Sequence, residues 1–438
     1  MTSLIGIRRE DKSEWERRVP VTPQDASELQ QEHGIKVVVQ SSPTRAFPDS
    51  EFAQAGITTQ DDLSSCPMIF GIKEVPKEQF EPDKAYIFFA HVIKGQPYNM
   101  PMLRRLLELG CTLIDYERVV DEKNRRLIFF GWHAGVAGMI DTLWTLGQRL
   151  SWEGIANPFA ILRQTHAYTD LEEAKAALEL VRARIETEGL PEELAPLTVG
   201  IAGYGNVSRG AQEILDILPT IDVEPEELGA VATSSDFSRH HIYKAVFKEW
   251  HMVEPASAGQ SFELQDYYDH PENYKGVFEQ YVPHLDVLVN AIFWTERYPR
   301  LVTKAYLEDL YGGQETPRLR VIGDISCDVE GAIECTVKST EPGTPVYVYD
   351  PLTGGASDGH EGPGIVIMAV DILPAELPRE ASTDFSRVLK PFIPAMARCD
   401  LSAPFEDCNL PPEIKRAVIA HQGQLTPDYR YIQDYLDQ

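Results

Sequence analysis

The chain has 438 residues, 43% of them hydrophobic and 25% charged, with a formal net charge of −28. That length exceeds one ordinary core and suits two domains of a globular protein. So large an acidic surplus argues against binding to nucleic acid or to anionic membranes, which need positive patches, and reads as a solubilising surface.

The first third alternates strand and helix patterns. Leu4 to Ile7, Lys36 to Val39, Met68 to Ile72, Tyr86 to Phe89 and Thr112 to Ile114 read as short buried strands, with helical spacing over Gln24 to Glu32 and Met100 to Leu109. Such alternation predicts a parallel sheet covered on both faces. Ala134 to Leu150 reads as a longer helix, small on one side (Ala134, Gly135, Ala137, Gly138), suited to close packing and to joining two lobes. Leu171 to Glu188 is a charged helix, broken by Pro191 to Pro196. The polar, aromatic stretch from Asp222 to Pro283 has no clear period and suits an elaboration of a nucleotide domain. Val287 to Phe293 and Arg320 to Ile325 return as strands. Pro342 to Pro363, rich in Gly and Pro, is expected to be loop, with one strand at Val346 to Tyr349. Ile365 to Val370 is apolar, and Ser382 to Ala397 looks helical.

Six cysteines (Cys66, Cys111, Cys327, Cys335, Cys399 and Cys408) show no CxxC spacing. No zinc site, no other metal and no disulfide framework is expected, and the thiols fit a reducing compartment. Met1 to Glu10 lacks the apolar core of a signal peptide, and no apolar run reaches the ~18 residues of a membrane helix. A cytoplasmic location is the expectation.

The most informative segment is Thr198-Val-Gly-Ile-Ala-Gly-Tyr-Gly-Asn-Val-Ser-Arg-Gly-Ala211. A short apolar strand feeds a turn at Gly203 and Gly205, and a helix follows from Asn206. Such a turn presents unpaired backbone N–H groups and a positive dipole end, which suit a pyrophosphate. Ser208 stands where a strict GxGxxG has its third glycine, and the next glycine is Gly210. About 20 residues on, an acidic side chain usually meets the ribose hydroxyls, and Glu224 has that offset. Ser234, Ser235 and Arg239 lie further on and could hold a 2′-phosphate instead, so NADPH and NADH both stay open. The mid-chain position of the turn predicts a nucleotide-binding domain inserted between two halves of another domain.

Lys73 and His91 stand just beyond two neighbouring predicted strands, at the edge where open α/β sheets bind ligands. A lysine depressed by nearby cations can act as a base near neutral pH, and histidine is already suited to it. Arg17, Arg18, Arg125 and Arg126 flank strands and could fork onto substrate carboxylates. Asp115, Glu117 and Asp324 end or follow strands and could receive a substrate ammonium.

Together these residues resemble a known family. Arg-Arg-Glu-Asp at 8–11 and Trp15-Glu-Arg-Arg-Val-Pro-Val-Thr-Pro23 look like the opening of the alanine dehydrogenase and saccharopine dehydrogenase superfamily. The nearer resemblance is to the lysine-ketoglutarate reductase half of the bifunctional aminoadipic semialdehyde synthase. It is carried by Ile72-Lys-Glu74, Phe89-Ala-His-Val-Ile-Lys94, Leu113-Ile-Asp-Tyr-Glu117, Gly135-Val-Ala-Gly-Met-Ile140, Gly203 to Gln212, Asp371-Ile-Leu-Pro-Ala-Glu-Leu-Pro378 and Tyr429-Arg-Tyr-Ile-Gln433. The other half of the bifunctional protein has no counterpart, so a free-standing reductase is expected.

The resemblance implies two Rossmann-like α/β domains with a cleft between them. The substrate domain would be 1–132 and 345–438, and the dinucleotide-binding domain 133–344. It implies condensation of L-lysine with 2-oxoglutarate and reduction of the imine to saccharopine, with NADPH as the usual coenzyme and NADH as the alternative. Lys73 and His91 would be the acid–base pair, with Lys94 tuning them. Arg18 and Arg126 would hold carboxylates, Glu74 and Glu117 would balance lysine charge, and Asp324 would lie near the nicotinamide. Gly203, Gly205, Asn206 and Val207 would hold the pyrophosphate, and Glu224 departs from what an NADPH site would want. Two rivals use the same residues differently: an ammonia-using amino-acid dehydrogenase of the alanine dehydrogenase type, and a non-catalytic nucleotide sensor. The superfamily includes oligomers and monomers alike.

Overall fold

A computed structural model describes residues 3–234, 236–314 and 316–437. The chain divides into two units: residues 1–130 with 378–438, and residues 131–377.

The first unit is built on β1 (Leu4–Ile7), β2 (Lys36–Gln40), β3 (Thr58–Gln60), β4 (Met68–Phe70), β5 (Ala85–Phe88) and β6 (Thr112–Asp115). These six are parallel, in the order β3-β2-β1-β4-β5-β6. The late strand Val418–His421 extends the sheet antiparallel to β6 and carries Gln424–Leu425 on its outer side. Strand order reverses between β1 and β4, so the carboxyl ends of those strands frame the crevice where a ligand is expected in such a sheet. Helix Pro23–His33 starts on Thr22, whose side chain accepts the Asp25 N–H, and stops at Gly34 with φ of 66°. The helical pattern seen over Ser382 to Ala397 resolves into Pro378–Leu389 and Ile393–Arg398, with a 3₁₀ turn at Lys390–Phe392 between them. Pro391 and Pro394 supply no N–H to a continuous ladder, which explains the break.

The second unit is built on β7 (Leu197–Ala202), β8 (Thr220–Asp222) and β9 (Ile242–Phe247), followed by strands Val287–Asn290, Val321–Asp324, Val346–Asp350, Gly355–Asp358 and Ile365–Met368. β9 lies between β7 and β8, and Val287–Asn290 lies on the other side of β7. Val346–Asp350 runs antiparallel to Ile365–Met368 in this same sheet. The second crossing of the chain therefore falls after Leu377 and not at 344/345: the apolar strands of 346–368 complete the second unit's core.

The glycine-rich side of the long helix, Gly131–Trp152, packs inside the second unit, where a joint between lobes had been expected. A Cβ at Gly135 would stand 1.9 Å from the Val207 carbonyl oxygen, and one at Gly210 would stand 2.2 Å from that of Trp132. The two backbones approach so closely that only glycine fits at either crossing point. Gly210 thus does the packing that the third glycine of the fingerprint would do, while Ser208 is buried and accepts a hydrogen bond from Gln212 Nε2 at 2.9 Å. Among the described residues no helix is long and apolar enough to cross a membrane.

On that helix Asp141 is buried beside Glu376, and the two form a carboxyl pair. Asp141 Oδ1 accepts the Thr165 N–H at 2.7 Å, and Glu376 Oε2 accepts that of His166 at 3.1 Å. Burial, and then the neighbouring carboxylate, pushes Asp141 well above the usual range, and burial pushes Glu376 to about 7. The folded chain therefore holds protons here that the unfolded chain releases near the carboxyl's ordinary 4.5, and stability falls as pH rises from there through about 7. Glu376→Gln is expected to gain on the wild type in thermal denaturation at pH 8 relative to pH 5. An equal difference at both pH values would contradict a shared proton.

Candidate active site

In the first unit, β4 ends at Phe70 and the chain turns through Gly71 and Ile72 to Lys73 and Glu74. Glu10, just beyond β1, fastens this turn: its Oε1 accepts the Ile72 N–H at 2.8 Å and its Oε2 the Lys73 N–H at 3.0 Å. Burial pushes the Glu10 carboxyl up to about 7, although Arg8 pulls the other way. Burial, and then the charge of Arg18, pulls the Lys73 ammonium below the ordinary lysine value. A lysine in that setting loses its proton more readily and can serve as a base.

His91 follows β5 on a backbone with φ of 49°. That left-handed conformation is costly for a residue with a Cβ and is held by Asn99, whose Nδ2 donates to the carbonyls of Ala90 and His91 at 3.1 Å each. His91 Nδ1 lies 2.7 Å from Glu74 Oε1, and Lys12 Nζ donates to Glu74 Oε2 at 2.6 Å. Burial pulls the Glu74 carboxyl up, but the bonds from His91 and Lys12 outweigh it and hold it at about 2. A carboxylate that stays ionised fixes the Nδ1–H tautomer and leaves Nε2 as the position that takes and gives protons. Glu74 thus orients the histidine, besides any role in balancing lysine charge.

Arg18 is 3% exposed and forks onto Glu16, with Nε to Oε1 at 2.8 Å and Nη2 to Oε2 at 2.6 Å, and its guanidinium lies 4.2 Å from the centre of the Phe130 ring. Its Nη1 has no partner among the described residues. Arg17 instead donates to the Thr44 carbonyl, and Arg125 pairs with Asp121. Arg126 is more exposed; it stands 4.0 Å from Glu117 and 5.9 Å from the Phe89 ring centre. Glu117 donates its N–H to Asp115 at the end of β6, and burial lifts that carboxyl to about 6. Lys94 is exposed on the turn after His91 and makes no side-chain hydrogen bond or ion pair among the described residues. The neighbouring cations that depress Lys73 are Arg18 and, to a smaller extent, Lys12.

In the second unit, Gly203 has φ of 97°, and a Cβ there would come within 3.0 Å of Ile292 and 3.1 Å of the Ala291 carbonyl oxygen. At Gly205 a Cβ would meet nothing within 4 Å. Helix Asn206–Leu215 begins at once, with Asn206 and Val207 in its first turn. The turn opens on a cavity of about 500 Å³ walled by Tyr204, Tyr267, Tyr268, Phe293 and Trp294. A glycine cradle, a helix start and an aromatic slot are what a pyrophosphate and an adenine require, so these residues fit a dinucleotide.

Glu224 lies elsewhere than its offset suggested. It is exposed beyond β8, the edge strand, where it caps the 3₁₀ turn Pro225–Glu227. The strand beside β7 is β9, and its end carries Glu249, which lines the cavity. The offset rule assumes that the second strand pairs with the first, and here the third does. Lys244 hid that strand from the sequence reading: a cation interrupts Ile242–Phe247, but its ammonium reaches out to Asp216 at 2.6 Å and Asp222 at 3.0 Å. Arg239 precedes β9, at the opposite end of the sheet, with its guanidinium on the Leu190 carbonyl. Ser234 accepts the Asp236 N–H in the same connection, and Ser235 lies outside the described residues. Asp324 ends its strand fully enclosed: Asn290 and the Cys327 N–H bond to Oδ1 and Thr336 to Oδ2, and burial lifts it to about 6.

Residues 6–137 match the profile of the alanine dehydrogenase/PNT N-terminal domain, and residues 199–428 that of the alanine dehydrogenase/PNT C-terminal domain. Alpha-aminoadipic semialdehyde synthase of Arabidopsis thaliana is 38% identical over 98% of this chain and 41% of its own length. The mitochondrial protein of that name from Bos taurus is 35% identical over 98% of this chain and 48% of its own. The chain thus spans less than half the length of these relatives. Saccharopine dehydrogenase (NAD(+), L-lysine-forming) of Neurospora crassa is 28% identical over 89% of this chain and 90% of its own. Among solved structures, an L-alanine dehydrogenase shares the fold with a TM-score of 0.63 at 18% identity, over 99% of each chain. A transhydrogenase from Sinorhizobium meliloti does so at 0.55 and 14%, over 97% of this chain and 100% of that one. The C-terminal profile alone spans more than half of the sequence, and the N-terminal one precedes it in order: the chain belongs to the alanine dehydrogenase/PNT family.

Proposed function

We propose that this member of a nicotinamide-dependent oxidoreductase family condenses L-lysine with 2-oxoglutarate and reduces the resulting imine to saccharopine. The observation that carries the reading is the cluster at the reversal of strand order in the first unit: a depressed lysine, a histidine oriented by an ionised carboxylate, and two arginines. Joining an amine to a keto acid needs those groups. Lys73 takes the proton from the substrate's ε-ammonium, freeing the amine to attack the keto carbon. His91 Nε2 gives a proton to the carbinolamine oxygen, which leaves as water. Arg18, through Nη1, and Arg126 hold carboxylates, while Glu117 faces the remaining substrate ammonium. When bound, the reduced nicotinamide supplies the hydride that completes the reduction. The glycine turn, Asn206 and Val207 hold its pyrophosphate, and Asp324 braces the adjoining loop.

The names of the Arabidopsis, bovine and Neurospora relatives support lysine as the amine. The test is consumption of reduced nicotinamide with 2-oxoglutarate and either lysine, ornithine or ammonia, with the product identified by mass spectrometry. Saccharopine formed only with lysine is the expected result. Comparable turnover of ammonia would replace this reading with an amino-acid dehydrogenase, and coenzyme binding without turnover of any amine would favour a sensor.

A further inference from the structure

We infer that Glu249 makes this chain select NADH over NADPH. The inference rests on reading the cavity beside the glycine turn as the adenosine end of a dinucleotide site. Three observations carry it. The first is position: β9 is hydrogen-bonded to β7 along its length, and the Gly203 N–H donates to the carbonyl of Phe247, its last residue, at 3.0 Å. Glu249, two residues on, therefore stands beside the phosphate-binding turn, where an acidic side chain meets ribose hydroxyls in such a sheet. The second is orientation. Tyr268 donates its hydroxyl to Glu249 Oε1 at 2.7 Å and Tyr204 donates to the same oxygen at 3.3 Å, while Oε2 has no partner among the described residues. That oxygen is enclosed by its neighbours and unsatisfied, so a ribose that displaces its cover on entering the cavity would offer it the partners it lacks, the 2′- and 3′-hydroxyls. The third is charge. Among the described residues lining the cavity, Glu249 is the one charged side chain. Lys248 lies next to it in sequence, but its ammonium stands 5.1 Å from the centre of the Trp250 ring. A 2′-phosphate placed here would meet a carboxylate with no cation on the wall to offset it.

The test is direct binding. Purified wild type, Glu249→Gln and Glu249→Ala are titrated separately with NADH and NADPH by calorimetry, without amine or keto acid. Wild type is expected to bind NADH about a hundredfold more tightly than NADPH, the scale of placing like charges together. Both variants are expected to bring that ratio to about tenfold or less, chiefly by tighter NADPH binding. Equal or tighter binding of NADPH by the wild type would overturn the inference, as would an unchanged ratio in the variants. Folded protein that binds neither coenzyme would remove both the inference and the dinucleotide reading. Selective NADH binding without turnover of lysine would strike only the proposed reaction.

Discussion

Lys73→Met is expected to lower turnover about 10²–10⁴-fold, the range for loss of a positioned proton-transfer group, and His91→Gln to do the same. Neither residue lies in the unit that carries the glycine turn, so NADH affinity should stay within about twofold of wild type in both. The pH profile separates a chemical role from a structural one. Burial and the neighbouring Arg18 favour the neutral form of Lys73, so its basic form is populated below the ordinary 10.5. Wild-type activity should therefore rise with pH on a limb below that value, and Lys73→Met should lack the limb. Glu74→Gln tests the histidine by another route. It leaves a partner at Nδ1 but removes the ionised carboxylate that orients the ring, so turnover should fall while NADH affinity stays near that of the wild type. Full turnover in both Lys73→Met and His91→Gln would remove the acid–base assignment.

Much of the first unit was legible because its strands are continuous apolar runs, as strands covered on both faces must be. Leu4–Ile7 and Met68–Phe70 fell inside their expected segments, and with them the lysine and histidine beyond β4 and β5. The acids that govern those bases were harder to read. Glu10 and Glu16 sit in a charged stretch, Glu-Asp-Lys-Ser-Glu-Trp-Glu-Arg-Arg, which looks solvated. Glu10 is held by a long-range partner, the backbone of Ile72 and Lys73. The signal was present in the fork of Glu16 on Arg18, two residues apart in sequence. In the second unit the glycine turn was legible and its ribose partner was not, since strand order is not a local property. A lysine within β9 and the aromatic segments after it masked the one strand whose end supplies Glu249.

Arg18→Ala is expected to destabilise the chain by about 3–5 kcal/mol, the cost of leaving a buried charge without its partner. Glu16 is buried, and burial alone would raise its carboxyl; the charge and two side-chain hydrogen bonds of Arg18 hold it below the ordinary 4.5 instead. A carboxyl depressed in the folded state contributes stability above its unfolded value and loses it as pH falls through the folded one. The penalty of Arg18→Ala should therefore be greatest at neutral pH and shrink towards pH 4.5 and below, where Glu16 can take up a proton. Urea denaturation at pH 7 and pH 4.5 measures the difference. The double change Glu16→Leu with Arg18→Met should recover most of the loss, because an apolar pair of similar volume leaves no charge to desolvate. That double variant also bears on Lys73. Arg18 lowers the lysine and Glu16 raises it, and Arg18 is the larger of the two. Removing both should carry the Lys73 ammonium upward, and with it the alkaline limb of any residual activity. A stable double variant with an unmoved limb would mean that burial alone sets the lysine, and that the buried fork serves the fold and not the base.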